Sequence, residues 1–423
     1  MILDLFAGPG GWSHALTVLG VRDVGLEWDE WACRTRAAAG QLTLRTDVAM
    51  YPTWPWVGRT RGLIASPPCQ AWSMAGKRLG LVDQPLVHQA VEDLAAARDT
   101  RERLLAACRD KRSLQAAEPM RYLYALNMAG EPEWVAMEEV PDVLPLWKQY
   151  AAVLRRWGFS VWTGILNAAD YGVPQTRRRA ILLASRVRTA QPPPPTHAQI
   201  AEPESLFGPG RARWVSMAEA LGWGATDRPV PTVCAGGGPG GGPEPFPSGS
   251  RKTLSDARDR GTWTPRTEGI VLQSRREGAG WAARHGTRDN RPADRPAPTF
   301  TAEAHRWSWA LRSNNQANAT VRSIEEPAGT LFFGHRANEC TWVAEPATVQ
   351  PEDATPPSAP EPIRITAREA GLLQTFPADY PWAGNKGQQF SQIGNAVPPL
   401  LAAHLLAPHL RVPLQPDDFT LAA

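Results

Sequence analysis

At 423 residues the chain has room for two domains, or for one domain carrying a large insertion. Its 45 Lys and Arg nearly balance 42 Asp and Glu, a net charge of +3, so there is no global basic field and nucleic-acid contact must come from local patches. The five cysteines (33, 69, 108, 234, 340) form no Cys-x-x-Cys pair, which argues against a zinc site or a disulfide framework; no metal is expected. The most apolar tract, Pro398 to Leu410, is shorter than the ~20 residues of a membrane span, and the start has no charged leader, so a soluble intracellular protein is expected.

The chain opens on a short apolar run, Met1 to Phe6, which predicts a strand. Ala7-Gly8-Pro9-Gly10-Gly11-Trp12-Ser13 then turns into a helical pattern from His14 to Leu19. Strand, glycine turn and helix begin a dinucleotide-type α/β unit, although the spacing is not that of nicotinamide binders. Glycines allow close backbone approach to a ligand. Asp23-Val24-Gly25-Leu26 predicts a second strand ending on Glu27-Trp28, where a carboxylate can bind ribose hydroxyls and an indole can stack on adenine. Asp47, in Thr46-Asp47-Val48, falls where a third strand would end. This order reads as a nucleoside site without a diphosphate.

Gly62-Leu63-Ile64-Ala65 predicts a fourth strand, leading into Ser66-Pro67-Pro68-Cys69-Gln70-Ala71-Trp72-Ser73. Two prolines hold an extended backbone and present the Cys69 sulfur in a defined direction. The stretch from Gly76 to Gly80, with Lys77 and Arg78, reads as a flexible, glycine-punctuated basic loop. Residues 84–130 are helical in pattern, and part of 84–112 reads as an insertion. Trp134-Val135-Ala136-Met137 predicts a buried strand ending on Glu138; successive strand residues face opposite ways, so Glu138 and Glu139 cannot share a pocket. Val153 to Leu166 reads as helix end, turn and strand. In Pro174-Gln175-Thr176-Arg177-Arg178-Arg179-Ala180-Ile181, Arg177 and Arg179 share one face and Arg178 points away.

The proline runs at Gln191 to Pro195 and Pro356 to Pro362 bracket a segment rich in Gly, Pro, Arg and Trp. It carries a diffuse repeat (Arg228 to Val233, Arg295 to Phe300, Glu326 to Leu331), each copy a proline-started extended segment entering a strand. The loops Gly236 to Lys252, Ser274 to Arg295 and Arg306 to Asn318 are the better candidates for base contact, since Asn and Gln can read adenine and Arg guanine.

Five blocks in order, Asp4-Leu5-Phe6-Ala7-Gly8-Pro9-Gly10-Gly11, Pro67-Pro68-Cys69-Gln70, Glu138-Glu139-Val140-Pro141, Gln175-Thr176-Arg177-Arg178-Arg179 and Gly394-Asn395-Ala396-Val397-Pro398-Pro399, resemble the signature blocks of the DNA (cytosine-5) methyltransferases over about residues 1–185 and 362–423. The resemblance implies an α/β fold: a Rossmann-like S-adenosylmethionine-dependent core (1–186 and 362–423) with an inserted strand- and loop-rich target-recognition domain (187–361). It implies S-adenosyl-L-methionine as cofactor, double-stranded DNA as substrate, and methyl transfer to C5 of a flipped cytosine. Cys69 would be the nucleophile, Glu138 the acid at N3, Arg179 the donor to cytosine O2, and Arg177 a support for Cys69 or a phosphate. Phe6, Gly8, Pro9, Gly10, Gly11, Glu27, Trp28, Asp47, Val48, Pro68, Asn395 and Ala396 would hold the cofactor; Gln70, Ser73, Lys77 and Arg78 would meet DNA. The expected setting is a monomer in the cytoplasm of a bacterial or phage-infected cell, with a cognate restriction endonuclease open as a partner.

One departure stands out. The family usually has Asn where this chain has Glu139, and an ionised carboxylate cannot donate a hydrogen bond as an amide does. Three other readings are open: an RNA-directed relative, which the long middle segment disfavours, a DNA-binding regulator with a degenerate core, which the intact Cys69, Glu138 and arginine set disfavours, and transfer of a modified one-carbon group in place of methyl.

Overall fold

The four residues Ile2–Leu5 are wholly buried and form β1, followed through the glycine turn by α1 (Gly11–Val18). The alternation continues through β2 (Asp23–Glu27), α2 (Glu30–Ala38), β3 (Leu42–Arg45), β4 (Gly62–Ala65), α3 (Leu79–Ala95), α4 (Arg101–Ala107), α5 (Glu118–Asn127), β5 (Trp134–Glu139), α6 (Leu144–Arg156), β6 (Ser160–Asn167), β7 (Gln175–Thr176) and β8 (Arg178–Ser185). This computed structural model describes residues 1–72, 79–205, 208–221, 307–312, 321–323, 326–329, 341–346, 363–364, 366–414 and 419.

Seven strands form one sheet in the order β3-β2-β1-β4-β5-β8-β6. The first five are mutually parallel, while β8 runs antiparallel to both β5 and β6. Buried parallel strands need apolar residues on both faces, and β4 and the first four residues of β5 supply them. On one face Leu3, Leu63, Val135, Met137 and Leu182 pack under Val87 of α3, Tyr122 of α5, and Trp147 and Tyr150 of α6. On the other, Ile2, Ile64, Trp134, Ala136 and Ile181 pack under Trp12 and Leu16 of α1.

That second face is completed from the far end of the chain. After α8 (Ala367–Leu372) and α9 (Lys386–Asn395), α10 (Pro399–Leu410) packs along α1, with Leu401, Leu405 and Leu406 entering the same cluster. Both ends of the chain therefore build one layer, as the position of the last block implied.

Between them lie a two-stranded sheet of β9 (His197–Ala198) and β10 (Ala212–Arg213), the short α7 (Met217–Ala220), and a four-stranded antiparallel sheet ordered β12-β11-β14-β15. Its strands are β11 (Trp307–Arg312), β12 (Val321–Ser323), β14 (Thr341–Pro346) and β15 (Ile363–Arg364). The third repeat does enter a strand: β13 (Ala328–Gly329) follows Pro327 and pairs in parallel with β7. The first two repeats, and the loops at 236–252 and 274–295, lie outside the described residues.

Two expectations are corrected. The stretch from Arg306 to Asn318 is not all loop, since 307–312 pairs along its length with β14. Of the basic loop expected at Gly76 to Gly80, Leu79 and Gly80 belong to α3, and residues 76–78 lie outside the described residues. A single glycine in an otherwise good helical run is tolerated there.

Candidate active site at the carboxyl edge of the sheet

Parallel β1, β2, β3, β4 and β5 all end at one edge, and antiparallel β8 begins there. The chain order reverses beside β1, with β2 on one flank and β4 on the other, which is where open α/β sheets bind ligands. This geometry gathers segments that sequence spreads from Phe6 to Arg179: the loop after β1, Glu27, Asp47, the turn at Cys69, Glu138 and Arg179.

The loop after β1 is shaped for close approach. Phe6 (φ 60°), Gly8 (φ 54°) and Gly10 (φ 99°) all adopt left-handed backbone conformations. A side chain on Gly11 would place its Cβ 2.1 Å from the Val397 carbonyl oxygen, so the first and last blocks meet backbone to backbone. The Tyr380 hydroxyl reinforces this seam by donating to the buried Pro9 carbonyl at 2.6 Å. Gly8, by contrast, has open space where a Cβ would stand. Glu27 ends β2 with its carboxylate accepting from Gly8 N (2.8 Å), Trp28 N (2.8 Å) and Asp29 N (2.7 Å), while burial pushes its pKa up against those three bonds. Trp28 stands 71% exposed beside it. Asp47 accepts from Ala49 N at 2.8 Å, and Val48 is buried with its carbonyl accepting from the Tyr122 hydroxyl at 3.0 Å.

An open glycine, a buried carboxylate that still has a lone-pair site for a hydroxyl, and an exposed indole form a cradle that fits an adenosyl group. Half-buried Phe6 and Pro68 and buried Val48 border it, and Ala396 caps α9 with Asn395 exposed at its end.

The Pro-Pro-Cys block is tied to the glycine turn by Trp12 Nε1, which donates to Ser66 Oγ at 2.9 Å. Cys69 starts a single 3-10 turn, Cys69–Ala71, with Gln70 exposed. Ser73, Lys77 and Arg78 lie outside the described residues. Cys33 and Cys108 carry free thiols, and burial first, then neighbouring carboxylates, push both up to about 11. Neither offers a thiolate at neutral pH.

Glu138 and Glu139 face opposite sides of the sheet. Glu138 lies with Trp134 and Ala136 on the α1 and α10 side, as do Ile181 and Leu183 of β8, in register with Arg179. Arg179 Nε stands 2.8 Å from Glu138 Oε1, both side chains 7% exposed, close enough for an ion pair though not aligned as a hydrogen bond. Arg178 is exposed. Buried Arg177 donates from Nη1 to the Gly394 carbonyl at 3.0 Å, across 217 residues, so its visible contact is with the last block.

Glu139 answers part of the question that its identity raised. Burial pushes its carboxyl well above the usual carboxylate range and the adjacent Glu138 adds to this, outweighing a hydrogen bond from Val140 N and the pull of Arg179 and Arg177. That shift favours the protonated carboxyl, whose O–H is a donor that a carboxylate lacks. Folded protein then holds a proton that the unfolded chain releases, so stability falls as pH rises above the ordinary glutamate range toward the folded pKa. Glu139→Gln is expected to unfold at higher urea than wild type at pH 7.5, with the gap shrinking toward pH 4.5. An equal gap at both pH values would mean that Glu139 is ionised in the fold.

A buried network behind the glycine loop was not anticipated from sequence. Arg36, fully buried, donates from Nη1 to Ser13 Oγ (2.8 Å) and from Nε to Thr43 Oγ1 (2.8 Å), and Ser13 Oγ donates to Asp23 Oδ2 (2.7 Å). Beside it, burial and then Asp23 hold the Asp4 carboxyl well above its usual range, while Arg36 pulls the other way. Members so scattered leave no periodic signal; the only trace was an Asp opening an apolar strand.

An open α/β sheet with a nucleoside cradle at its switch point and an acid–arginine pair further along the same edge defines a Rossmann-like group-transfer enzyme. The model of the C-5 cytosine-specific DNA methylase family matches residues 1–91, 118–222 and 249–410, and the chain belongs to that family. It is 25% identical over 427 residues to the type II methyltransferase M.DdeI of Desulfomicrobium norvegicum, spanning 96% of this chain and 87% of that protein. It is 26% identical over 406 residues to the type II methyltransferase M.Eco47II of Escherichia coli, spanning 94% and 75%. Its structure superposes on the S. pombe Dnmt2 methyltransferase with a TM-score of 0.48 at 12% identity, over 97% and 98% of the two chains. The protein is a DNA (cytosine-5)-methyltransferase, and S-adenosyl-L-methionine is its cofactor. The family model leaves 92–117 unmatched, which takes in part of the 84–112 stretch read as carrying an insertion and runs five residues past it.

Proposed function

We propose that the chain methylates cytosine within a specific duplex sequence by covalent catalysis from Cys69, as the modification enzyme of a type II restriction–modification pair. The observation that carries the mechanism is the buried Glu138–Arg179 pair at the sheet edge where the Cys69 turn begins.

C5 of cytosine is a poor nucleophile because the ring is aromatic. The Cys69 thiolate adds to C6, forming the S–C6 bond, and the C5–C6 π electrons are displaced toward N3. Glu138 protonates or hydrogen-bonds N3 to neutralise that charge, leaving C5 enamine-like. Bound S-adenosyl-L-methionine supplies an electrophilic methyl on its sulfonium. Return of the N3 proton to Glu138 and loss of the C5 hydrogen as a proton to water then restore the ring double bonds and expel the Cys69 sulfur as thiolate. Arg179 orients Glu138 and offers its remaining donors to cytosine O2. Reaching Cys69 requires the base to leave the duplex, at a cost of a few kcal/mol.

The cofactor is held by the loop from Phe6 to Gly11, with Glu27 and Asp47 on the nucleoside, Trp28, Val48 and Pro68 along its faces, and Asn395 and Ala396 from the C-terminal end. Residues 187–361 carry target recognition and 1–186 with 362–423 carry the chemistry. Relatives named as type II methyltransferases support a restriction–modification setting with a cognate endonuclease. A cytoplasmic monomer fits that role; among the described residues no helix is long and apolar enough to cross a membrane.

Purified protein given S-adenosylmethionine and duplex DNA is expected to yield 5-methylcytosine on digestion and mass spectrometry. N4-methylcytosine or N6-methyladenine in its place would refute the covalent route.

A further inference from the structure

The stretch that the family model leaves unmatched, 92–117, is not a loose appendage. Leu104, Leu114, Ala116 and Ala117 are buried in the main core, and the Tyr150 hydroxyl donates to the Ala116 carbonyl at 2.9 Å. Asp83 of α3, 1% exposed, pins the turn at 109–113: its carboxylate accepts from Arg109 N (2.8 Å), Asp110 N (2.9 Å) and Ser113 Oγ (2.7 Å). Asp110 then grips Arg112 bidentately, with Nε at 3.0 Å from Oδ1 and Nη2 at 2.6 Å from Oδ2. The other amino nitrogen, Nη1, donates to Gln70 Oε1 at 3.0 Å.

Gln70 directly follows Cys69 and is exposed. Amide oxygen and nitrogen are easily interchanged in a structure, but a guanidinium only donates, so the Gln70 atom facing Arg112 must be its oxygen. Its nitrogen, with two N–H donors, is left for the other side.

We propose that Arg112 is a positioning residue: it turns Gln70 so that the amide N–H2 group meets the DNA and binds a hydrogen-bond acceptor there. This rests on the placement of Cys69 as the nucleophile at the DNA-facing edge. Acceptors on DNA within such reach are the phosphate oxygens and, at the major-groove base edges, guanine N7 and O6, adenine N7 and thymine O4.

A double-mutant cycle tests it, read as Kd for a target duplex by fluorescence anisotropy and as single-turnover methylation. Arg112→Met and Gln70→Met should each weaken duplex binding about tenfold, and the double variant should be no worse than either, because one acts through the other. Arg112→Lys, which keeps a donor, should recover most of the loss. Losses that multiply in the double variant would overturn the proposal by showing that Arg112 meets DNA on its own account. Gln70→Glu guards against misfolding, since a carboxylate keeps and strengthens the bond to Arg112 while removing the outward donors. It should retain the wild-type thermal midpoint and lose duplex binding; wild-type binding by this variant would overturn the proposal. If a methylphosphonate duplex abolishes the difference between wild type and Gln70→Met, the acceptor is a phosphate; if 7-deazaguanine does so, it is a base edge. Wild type serves as the control: absence of 5-methylcytosine there would count against the proposed function and not against Arg112.

Discussion

DNA carrying 5-fluorocytosine at the target site is expected to remain attached to the wild-type enzyme through Cys69 after denaturation, when S-adenosylmethionine is present. The C6 adduct resolves only when C5 loses its hydrogen as a proton, and fluorine cannot leave that way, so the S–C6 bond persists. Forming the complex requires a flipped base, an ionisable thiol and an acid at N3, so it reports on the whole edge of the sheet. Cys69→Ala should give no such species. Neither Cys33 nor Cys108 can replace it, because both thiols are pushed up to about 11. Glu138→Gln should form the adduct more slowly, by about 10²- to 10⁴-fold, the usual contribution of a positioned acid. Denaturing gel electrophoresis reads all three. Wild type that methylates ordinary DNA yet leaves no adduct on the fluorinated duplex would rule out the covalent route.

Arg179→Met is expected to destabilise the fold by about 3–5 kcal/mol, because it leaves the Glu138 carboxylate buried without its cation. Arg178→Met, at an exposed position on the same strand, should change stability by less than about 0.5 kcal/mol. The double variant Glu138→Gln/Arg179→Met should regain much of the lost stability, since no lone buried charge remains, while staying without activity. Urea unfolding of the four proteins separates these cases. A loss in Arg179→Met no larger than in Arg178→Met would mean that the pair opens to water in solution.

Much of the site was legible in sequence because its signals are local. A strand alternates its faces every two residues, so placing Glu138 and Glu139 on opposite sides of β5, and Arg178 outward between Arg177 and Arg179, required only the strand itself. Glycine and proline punctuate the backbone wherever they stand, so the turns after β1 and β4 could be read directly. The 307–312 strand was missed because Trp307 to Arg312 lacks clean alternation, and its pairing partner β14 is distant in the chain.

What sequence alone determined here is which chemistries are available and where each strand delivers them: a thiol after Pro-Pro, a carboxylate at the end of β5, an arginine on the strand beside it. Arg177, expected on the same strand face as Arg179, falls between β7 and β8 and reaches Gly394 instead. What only the tertiary structure decided is how those groups are set. The Glu139 carboxyl is held well above the usual carboxylate range because residues from many segments remove its water and Glu138 adds a neighbouring charge. Gly11 must lack a side chain because Val397 arrives from the other end of the chain. Gln70 shows its donors because Arg112, on a segment outside the family pattern, occupies its oxygen. Backbone preference acts between near neighbours in sequence and can be read residue by residue. Desolvation, charge and hydrogen-bond occupancy are sums over neighbours in space, and in this protein those neighbours come from both ends of the chain.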